Sequence, residues 1–192
     1  FVFMMAGAFG YRIPPAGWRP EGWTPPAAKS AMITARHVHL RDAHKTKQFW
    51  LIWAVLCLNV SAGIGVIGMA SPMLQEIFAG SLIGAPGVAF ADLDAAQKAQ
   101  IAAIAAGFTG LLSLFNIGGR FFWASMSDKI GRKNTYFCFF ILGIVLYALA
   151  PTLALMGSKA LFVLAFGIIL SMYGGGFATI PAYLADIFGT QF

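Results

Sequence analysis

The sequence predicts an all-α integral membrane protein, and three observations support that prediction. Hydrophobic residues make up 59% of the 192 residues and charged residues 10%, whereas a soluble domain carries roughly 25% charge. Four apolar segments are each long enough to cross a bilayer, which takes about 20 helical residues. These segments lack the alternation of apolar and polar residues that a membrane β-barrel requires. The mean hydropathy of +0.76 agrees with this class.

The region before the first span divides into two parts. The apolar stretch 1–10 is too short to span and has no basic region before it, so we interpret it as the end of a transmembrane helix. Residues 11–48 form a polar loop whose prolines exclude a regular helix at first, and a short surface helix is expected over 36–47. Seven basic residues oppose two acidic ones in this loop, which predicts a cytoplasmic location.

The four predicted spans are apolar and of membrane-crossing length, and they cover residues 49–78, 98–126, 134–155 and 160–181. The loop 79–97 contains aspartates and no arginine, so we expect it outside the cytoplasm. The basic loop 127–133 and the tail 182–192 are expected on the cytoplasmic side. Because the chain opens inside an apolar segment, we expect it to be a fragment of a longer protein.

The second span carries a polar stripe that ends in a basic residue. Its members are spaced by four, three and four positions, which places them on one helical face: Thr109, Ser113, Asn116 and Arg120. An arginine at the centre of a span costs about 2.5–3.5 kcal/mol on insertion scales, so it needs a partner or an aqueous cavity. Either Arg120 binds an anion with two parallel N–H donors or it reaches outward to the headgroups.

The fourth span contains Tyr173 followed by three glycines. The Tyr173 hydroxyl would bind a substrate or another helix. We therefore assign candidate substrate contacts to four residues of the two spans, Ser113, Asn116, Arg120 and Tyr173.

A charged turn separates the second span from the third. Asp128 is predicted to cap the following helix, and Gly131 to permit the turn. Arg132 or Lys133 is predicted to pair with Asp186, which would form a latch that breaks during alternating access. The alternative is that the basic pair sets topology and contacts anionic lipid.

Other functional classes find little support in the sequence. The glycines of 63–68 match a dinucleotide fingerprint but lie inside an apolar run with no strand before them. Cys57 and Cys138 lie in spans, and the three histidines lie in the polar loop, so no metal or cofactor is expected. No nucleic-acid partner is expected, since the basic residues fall in loops. A membrane-embedded enzyme or sensor is the alternative from another class, but the spans contain no histidine or paired carboxylates.

The segment ASMSDKIGRK, residues 124–133, resembles the loop motif G-x-x-x-D-x-x-G-R-K of the major facilitator superfamily, with Ala124 at the first glycine. Nearly the whole chain resembles the oxalate/formate antiporter family of that superfamily. The resemblance lies in YRIPPAGWRPEGWTPP, QFWLIWAVLCLNVSAGIGVIGMASPMLQEIF, NIGGRFFWASMSDKIGRKNTYF and YGGGFATIPAYLADIFGTQF.

The resemblance implies a partial major-facilitator fold, with helices seven to ten of twelve and the end of helix six at 1–10. It implies exchange of oxalate and formate across the cell membrane, with Arg120 and, less directly, Tyr173 at the substrate. The partners would be a small carboxylate, membrane lipid, and the missing N-terminal half and last two helices. A carrier for another monocarboxylate such as pyruvate, with or without proton coupling, is the alternative.

Overall fold

A computed structural model describes residues 2–10, 12, 15, 18–19, 21–22, 34 and 37–189. Helices and turns account for all regular structure in these ranges, and they contain no strand. The chain divides into two compact units, 1–31 and 32–192. The first unit contributes helix α1, Val2–Gly10, which is apolar and exposed along its whole length.

The second unit contains five helices within its described residues: α2 (Leu40–Ala43), α3 (Lys47–Phe78), α4 (Ala95–Ile130), α5 (Arg132–Leu155) and α6 (Lys159–Phe188). Helices α3 to α6 are each long and apolar enough to cross a membrane. Two short 3₁₀ turns, Ala79–Ile83 and Phe90–Asp92, lie between α3 and α4. The prediction of an all-α membrane fold with four spanning helices is confirmed.

Helices α3 and α4 begin at side-chain caps that the sequence encodes. Thr46 Oγ1 accepts a hydrogen bond from the Phe49 backbone N–H at 3.3 Å. Asp94 Oδ1 accepts one from the Gln97 N–H at 2.8 Å, and Gln97 Oε1 accepts one in return from the Asp94 N–H at 3.0 Å. This reciprocal capping box satisfies backbone donors that a helix start otherwise leaves free.

A helix is expected over 36–47; of the described residues 37–46 before α3, four are helical, Leu40–Ala43. Lys45 Nζ donates to Asp42 Oδ1 at 2.8 Å at the end of this turn. The hydrogen bond and charge of Lys45 lower the pKa of the Asp42 carboxyl from its ordinary value. The chain then enters the Thr46 cap of α3, which ends the short helix because a cap residue has an extended backbone.

Helices α4 and α6 extend beyond the predicted spans, to Ile130 and Phe188. The 36 residues of α4 rise about 54 Å, which exceeds the roughly 30 Å hydrocarbon core. The predicted spans stop where the apolar residues stop, but backbone hydrogen bonding continues into the polar end. The expected loop 127–133 is therefore reduced to Gly131 between two helices, and most of the expected tail is helical. Residues 190–192 of that tail lie outside the described residues.

Helix α6 packs at the centre of the unit through a cluster of aromatic side chains. Phe162 is 1% exposed. Its ring meets Phe78 edge to face at 5.2 Å and stacks on Phe166 at 4.3 Å between centroids. These rings join α3 to α6, and aromatic pairs of this kind contribute about 0.5–1.5 kcal/mol beyond the area they bury.

The α4–α6 interface is built on small residues at every fourth position. Three of its contacting pairs are Phe115 with Gly167, Gly119 with Ser171, and Trp123 with Gly175. Because both numbers rise together, the two helices run in the same direction. A methyl group on Gly119 would lie 2.5 Å from Ser171 Cα, so the helices approach more closely there than a side chain allows.

Candidate functional site

The polar stripe of α4 faces a small cavity between α3, α4 and α6. Thr109, Ser113 and Asn116 line this cavity of about 50 Å³ together with three apolar residues, Ile67, Leu112 and Leu170. Thr109 Oγ1 donates to the Ala105 carbonyl and Ser113 Oγ to the Thr109 carbonyl, each at 3.1 Å. Both hydroxyl protons are therefore used within α4, which leaves the Asn116 amide as the stronger candidate donor.

Arg120 lies one turn beyond Asn116 on the same face of α4, and it is exposed. Among the described residues, no hydrogen bond or ion pair reaches its guanidinium. It stands about 11 Å from the midpoint of α4, while the half-thickness of the hydrocarbon is about 15 Å. A guanidinium at this depth carries five donors that need an acceptor.

Tyr173 lines a separate cavity of about 370 Å³ between α3, α5 and α6. Its ring packs on Gly63 of α3, where an added methyl group would lie 2.5 Å from Tyr173 Cγ. Its ring also meets Phe177 edge to face at 5.2 Å. Of the four predicted substrate contacts, Ser113 and Asn116 thus line one described cavity and Tyr173 lines another. Arg120 lines neither of these two cavities.

The register of α4 against α6 nevertheless places Arg120 and Tyr173 at similar depth. An added methyl group on Gly174 would lie 2.7 Å from Asn116 Oδ1, so Asn116 contacts the residue next to Tyr173. Following the paired positions of the α4–α6 interface, Arg120 lies level with Met172. Arg120 and Tyr173 are therefore within about one residue, or 1.5 Å, along the helix axis.

Arg132 joins three helix ends through the charged turn. Its Nη2 lies 2.5 Å from Asp128 Oδ1 of α4, and its Nε lies 3.2 Å from Asp186 Oδ2 of α6. Its Nη1 donates to Ser127 Oγ. The side chains of Arg132 and Asp186 are each 11% exposed, whereas that of Asp128 is 63% exposed. The predicted contact between Arg132 and Asp186 is present, and its role in gating stays a prediction.

Two expectations about the charged turn need correction or refinement. The prediction that Asp128 caps the following helix is wrong: the cap position of α5 is Gly131, with no side-chain cap, and Asp128 lies within α4. Gly131 does make the turn, with a φ of 88° that favours glycine. Lys133 does not share the ion pair, and its Nζ lies 5.7 Å from the centroid of the Phe137 ring.

The sequence analysis missed several contacts that fix this region. Trp123 Nε1 donates to Ser171 Oγ at 3.2 Å and ties α4 to α6 one turn from Arg120. The Thr34 N–H donates to the Asp186 carbonyl at 2.9 Å, so the loop before α2 contacts the same helix end as Arg132. A signal for the first existed, because small residues recur every four positions in α6 at 167, 171 and 175. The second joins distant segments and has no local signal.

The described residues contain no group of three or more histidine, cysteine, aspartate or glutamate side chains placed to hold a metal ion. Both cysteines are free and exposed.

Comparison with known proteins identifies the family. The family model described as Major Facilitator Superfamily matches residues 1–192. This chain belongs to the major facilitator superfamily. Among curated proteins of the superfamily, the oxalate:formate antiporter of Oxalobacter formigenes is 30% identical over 166 residues. That match covers 86% of this chain and 34% of the relative, so the chain spans about a third of the relative's length. No solved structure matches the chain significantly.

Membership in the superfamily accounts for the broad features above. The four spanning helices make the chain part of a multi-pass membrane protein. The family and the antiporter relative indicate transport rather than catalysis.

Proposed function

We propose that this chain is part of a secondary transporter of the cell membrane that exchanges small carboxylate anions, oxalate and formate first among them, by alternating access. The name of the curated relative, an oxalate:formate antiporter, supports the substrate class. On this proposal, helices α3 to α6 of this chain correspond to helices seven to ten of twelve, and α1 corresponds to the end of helix six. The N-terminal half and the last two helices would supply the rest of the site.

Arg120 is the observation on which the proposal rests. Placing the midpoint of α4 at the bilayer centre puts the Arg120 Cα within the hydrocarbon, and its guanidinium has no acidic partner among the described residues. Protein interiors and bilayers do not tolerate an unmatched charge, so an arginine so placed indicates an anionic ligand or an aqueous path. The planar fork of arginine fits a carboxylate, because two parallel N–H groups can donate to its two oxygens.

The charged cluster of Arg132, Asp128 and Asp186 supports the alternating-access part of the proposal. Arg132 extends from α5 to the end of α6, and its nearly buried pair with Asp186 holds the two ends together. Movement of one helix relative to the other would have to break that pair. We assign this cluster to the cytoplasmic side, where the basic residues of the adjoining segments favour that location, and propose that it stabilises the state closed to the cytoplasm.

The test is counterflow in proteoliposomes that contain the intact protein. Vesicles loaded with formate are mixed with labelled oxalate, and uptake by the parent protein is compared with that by Arg120→Gln and Arg120→Lys. Two charge-assisted hydrogen bonds contribute about 1.5–3 kcal/mol each. Arg120→Gln should therefore raise KM for oxalate about 100-fold or more, and Arg120→Lys should recover part of the loss by restoring charge without the fork.

The matched control is Lys129→Gln, which removes an exposed positive charge from the same helix near its end. It should leave KM close to that of the parent protein. Uptake of pyruvate but of neither oxalate nor formate would favour the monocarboxylate carrier. Full oxalate uptake by well-folded Arg120→Gln would mean that Arg120 reaches the headgroups and is not a substrate residue.

A further inference from the structure

Asn59 of α3 is a buried amide with an unused donor. The residue is 7% exposed, and its Nδ2 meets no hydrogen-bond acceptor among the described residues. It is the thirteenth residue of α3, about 18 Å from the helix start and near the middle of the helix. Buried amides are nearly always paired, and at this depth bulk water does not compensate for a missing partner. An unpaired amide here therefore indicates a partner beyond the described residues.

The cavity of about 370 Å³ between α3, α5 and α6 is lined by this amide. Asn59 and Tyr173 contribute to its wall, together with apolar residues such as Ile169 and Met172. Tyr147 also lies there, but its hydroxyl already donates to the Ala62 carbonyl at 2.9 Å. Among the described residues, neither the Asn59 Nδ2 nor the Tyr173 hydroxyl has a hydrogen-bond partner. The cavity is much larger than a single water requires.

The orientation of the Asn59 amide follows from its contact with Gly176. An added methyl group on Gly176 would lie 3.1 Å from Asn59 Cγ and 3.6 Å from Oδ1, and nearest to Nδ2. The amide nitrogen of Asn59 therefore faces the Cα of Gly176, which cannot accept a hydrogen bond. The two amide atoms are nearly isosteric, so a half-turn of the amide exchanges them. Oδ1 would then lie nearest to Gly176, where a weak Cα–H contact can form, and the NH₂ group would take the present position of Oδ1, farther from Gly176.

Asn59, Tyr173 and Arg120 lie at similar depth in the unit. Gly63 contacts Tyr173 and Asn59 contacts Gly176, so α3 runs antiparallel to α6 along this line. Gly176 follows Tyr173 by three residues, about 4.5 Å along the axis. Because Arg120 lies level with Met172, all three polar groups fall within about one and a half turns.

We infer that Asn59 is a further substrate contact, and that its amide NH₂ and the Tyr173 hydroxyl donate hydrogen bonds to a carboxylate oxygen in the 370 Å³ cavity. Two uncharged donors in an apolar wall select a ligand that is rich in acceptors, as a carboxylate is. The inference rests on the proposed function. It adds a contact from α3, so that three different helices contribute polar groups at one depth.

The test compares Asn59→Leu, which keeps the size of the side chain and removes its donors, with Asn59→Ser, which keeps a donor. The intact proteins are assayed for oxalate uptake in proteoliposomes and for the shift in Tm that oxalate causes in detergent. Asn59→Leu should raise KM at least tenfold and lose most of the oxalate-dependent shift in Tm. Its Tm without oxalate should equal or exceed that of the parent, because an unpaired amide has been removed. Asn59→Ser should recover part of the affinity.

Thr179→Val is the matched control, because Thr179 is 0% exposed and its hydroxyl is satisfied by neighbouring groups. It should lower Tm and leave KM unchanged. An unchanged KM and an intact oxalate shift in Asn59→Leu would overturn the inference alone, and if that variant does not fold, the same result in Asn59→Ala, which also removes the donors, would do so. Parent protein that takes up neither oxalate, formate nor pyruvate would overturn the proposed function, and the inference with it.

Discussion

Replacing Gly119 by alanine tests how closely α4 and α6 approach. The added methyl group would lie 2.5 Å from Ser171 Cα and 2.6 Å from Ser171 C, and closer still to the Ser171 carbonyl oxygen. These are backbone atoms of α6, so no side-chain rotation relieves the overlap. Ordinary carbon–carbon contacts begin at about 3.5 Å, and the two helices must therefore separate locally by about 1 Å.

The magnitude follows from two opposing terms. Alanine is favoured over glycine in a helix interior by about 1 kcal/mol. Overpacking of a close interface costs about 1–3 kcal/mol. Gly118 provides the matched control, because a methyl group there meets nothing within 4 Å. Both variants gain the same helix preference, so their difference isolates the overlap: Gly119→Ala should be about 1–3 kcal/mol less stable than Gly118→Ala.

The assay is reversible unfolding of the intact protein in mixed micelles, monitored by circular dichroism. Gly118→Ala should match or exceed the parent, and Gly119→Ala should fall below Gly118→Ala. Adding Ser171→Gly to Gly119→Ala should not rescue stability, since the overlap is with the Ser171 backbone. Equal stability of the two alanine variants, or rescue by Ser171→Gly, would refute the reasoning about the interface.

Three further predictions concern polar contacts, and the same unfolding assay reports on each. Asp186→Asn should lower the free energy of unfolding by about 1.5–3 kcal/mol, and the loss is limited because Arg132 keeps its contact with Asp128. If the pair is a latch, the double exchange Arg132→Asp with Asp186→Arg should restore the transport that each single variant loses. Failure of that exchange would leave only a structural pair. Asp94→Ala should cost about 0.5–2 kcal/mol through loss of the cap, and a loss as large in Asp94→Asn would contradict that origin. Tyr136→Phe should cost about 0.5–1.5 kcal/mol, because the hydroxyl donates to the carbonyl of Gly176 at 2.8 Å, and no loss would mean that bond is unimportant.

The spanning helices were predictable because a bilayer imposes one rule on every residue in it. An apolar run of sufficient length must satisfy its own backbone, and a helix does so. The ends of α4 and α6 were not predictable in this way, because outside the hydrocarbon the apolar pattern ceases while the hydrogen-bond ladder continues. The error about Asp128 has the same source: a helix that runs on to Ile130 carries Asp128 within it and leaves Gly131 as the cap.

Some features of the candidate site could likewise be predicted from local sequence, whereas others depend on contacts between distant segments. The stripe from Thr109 to Arg120 follows from helical spacing alone. The ion pair of Arg132 with Asp186 followed from opposite charge at two ends expected on one side of the membrane. The unpaired amide of Asn59 did not, because a single asparagine in an apolar run gives no sign of which helix faces it. The three glycines Gly174–Gly176 show why: a methyl group on each would meet a different residue, Asn116, Trp123 and Asn59 in turn.

The single residue between α4 and α5 has a mechanical consequence. Helix α4, with 36 residues, and helix α5, with 24, are joined only by Gly131. Because the peptide bonds on either side are planar, the φ and ψ angles of Gly131 are the only free torsions between them. Helices α4 and α5 therefore cannot slide past each other at that end, and they can only rotate about Gly131. Arg132, the first residue of α5, forms an ion pair with Asp186 of α6. Any tilt of α5 must therefore either carry the end of α6 with it or break that ion pair.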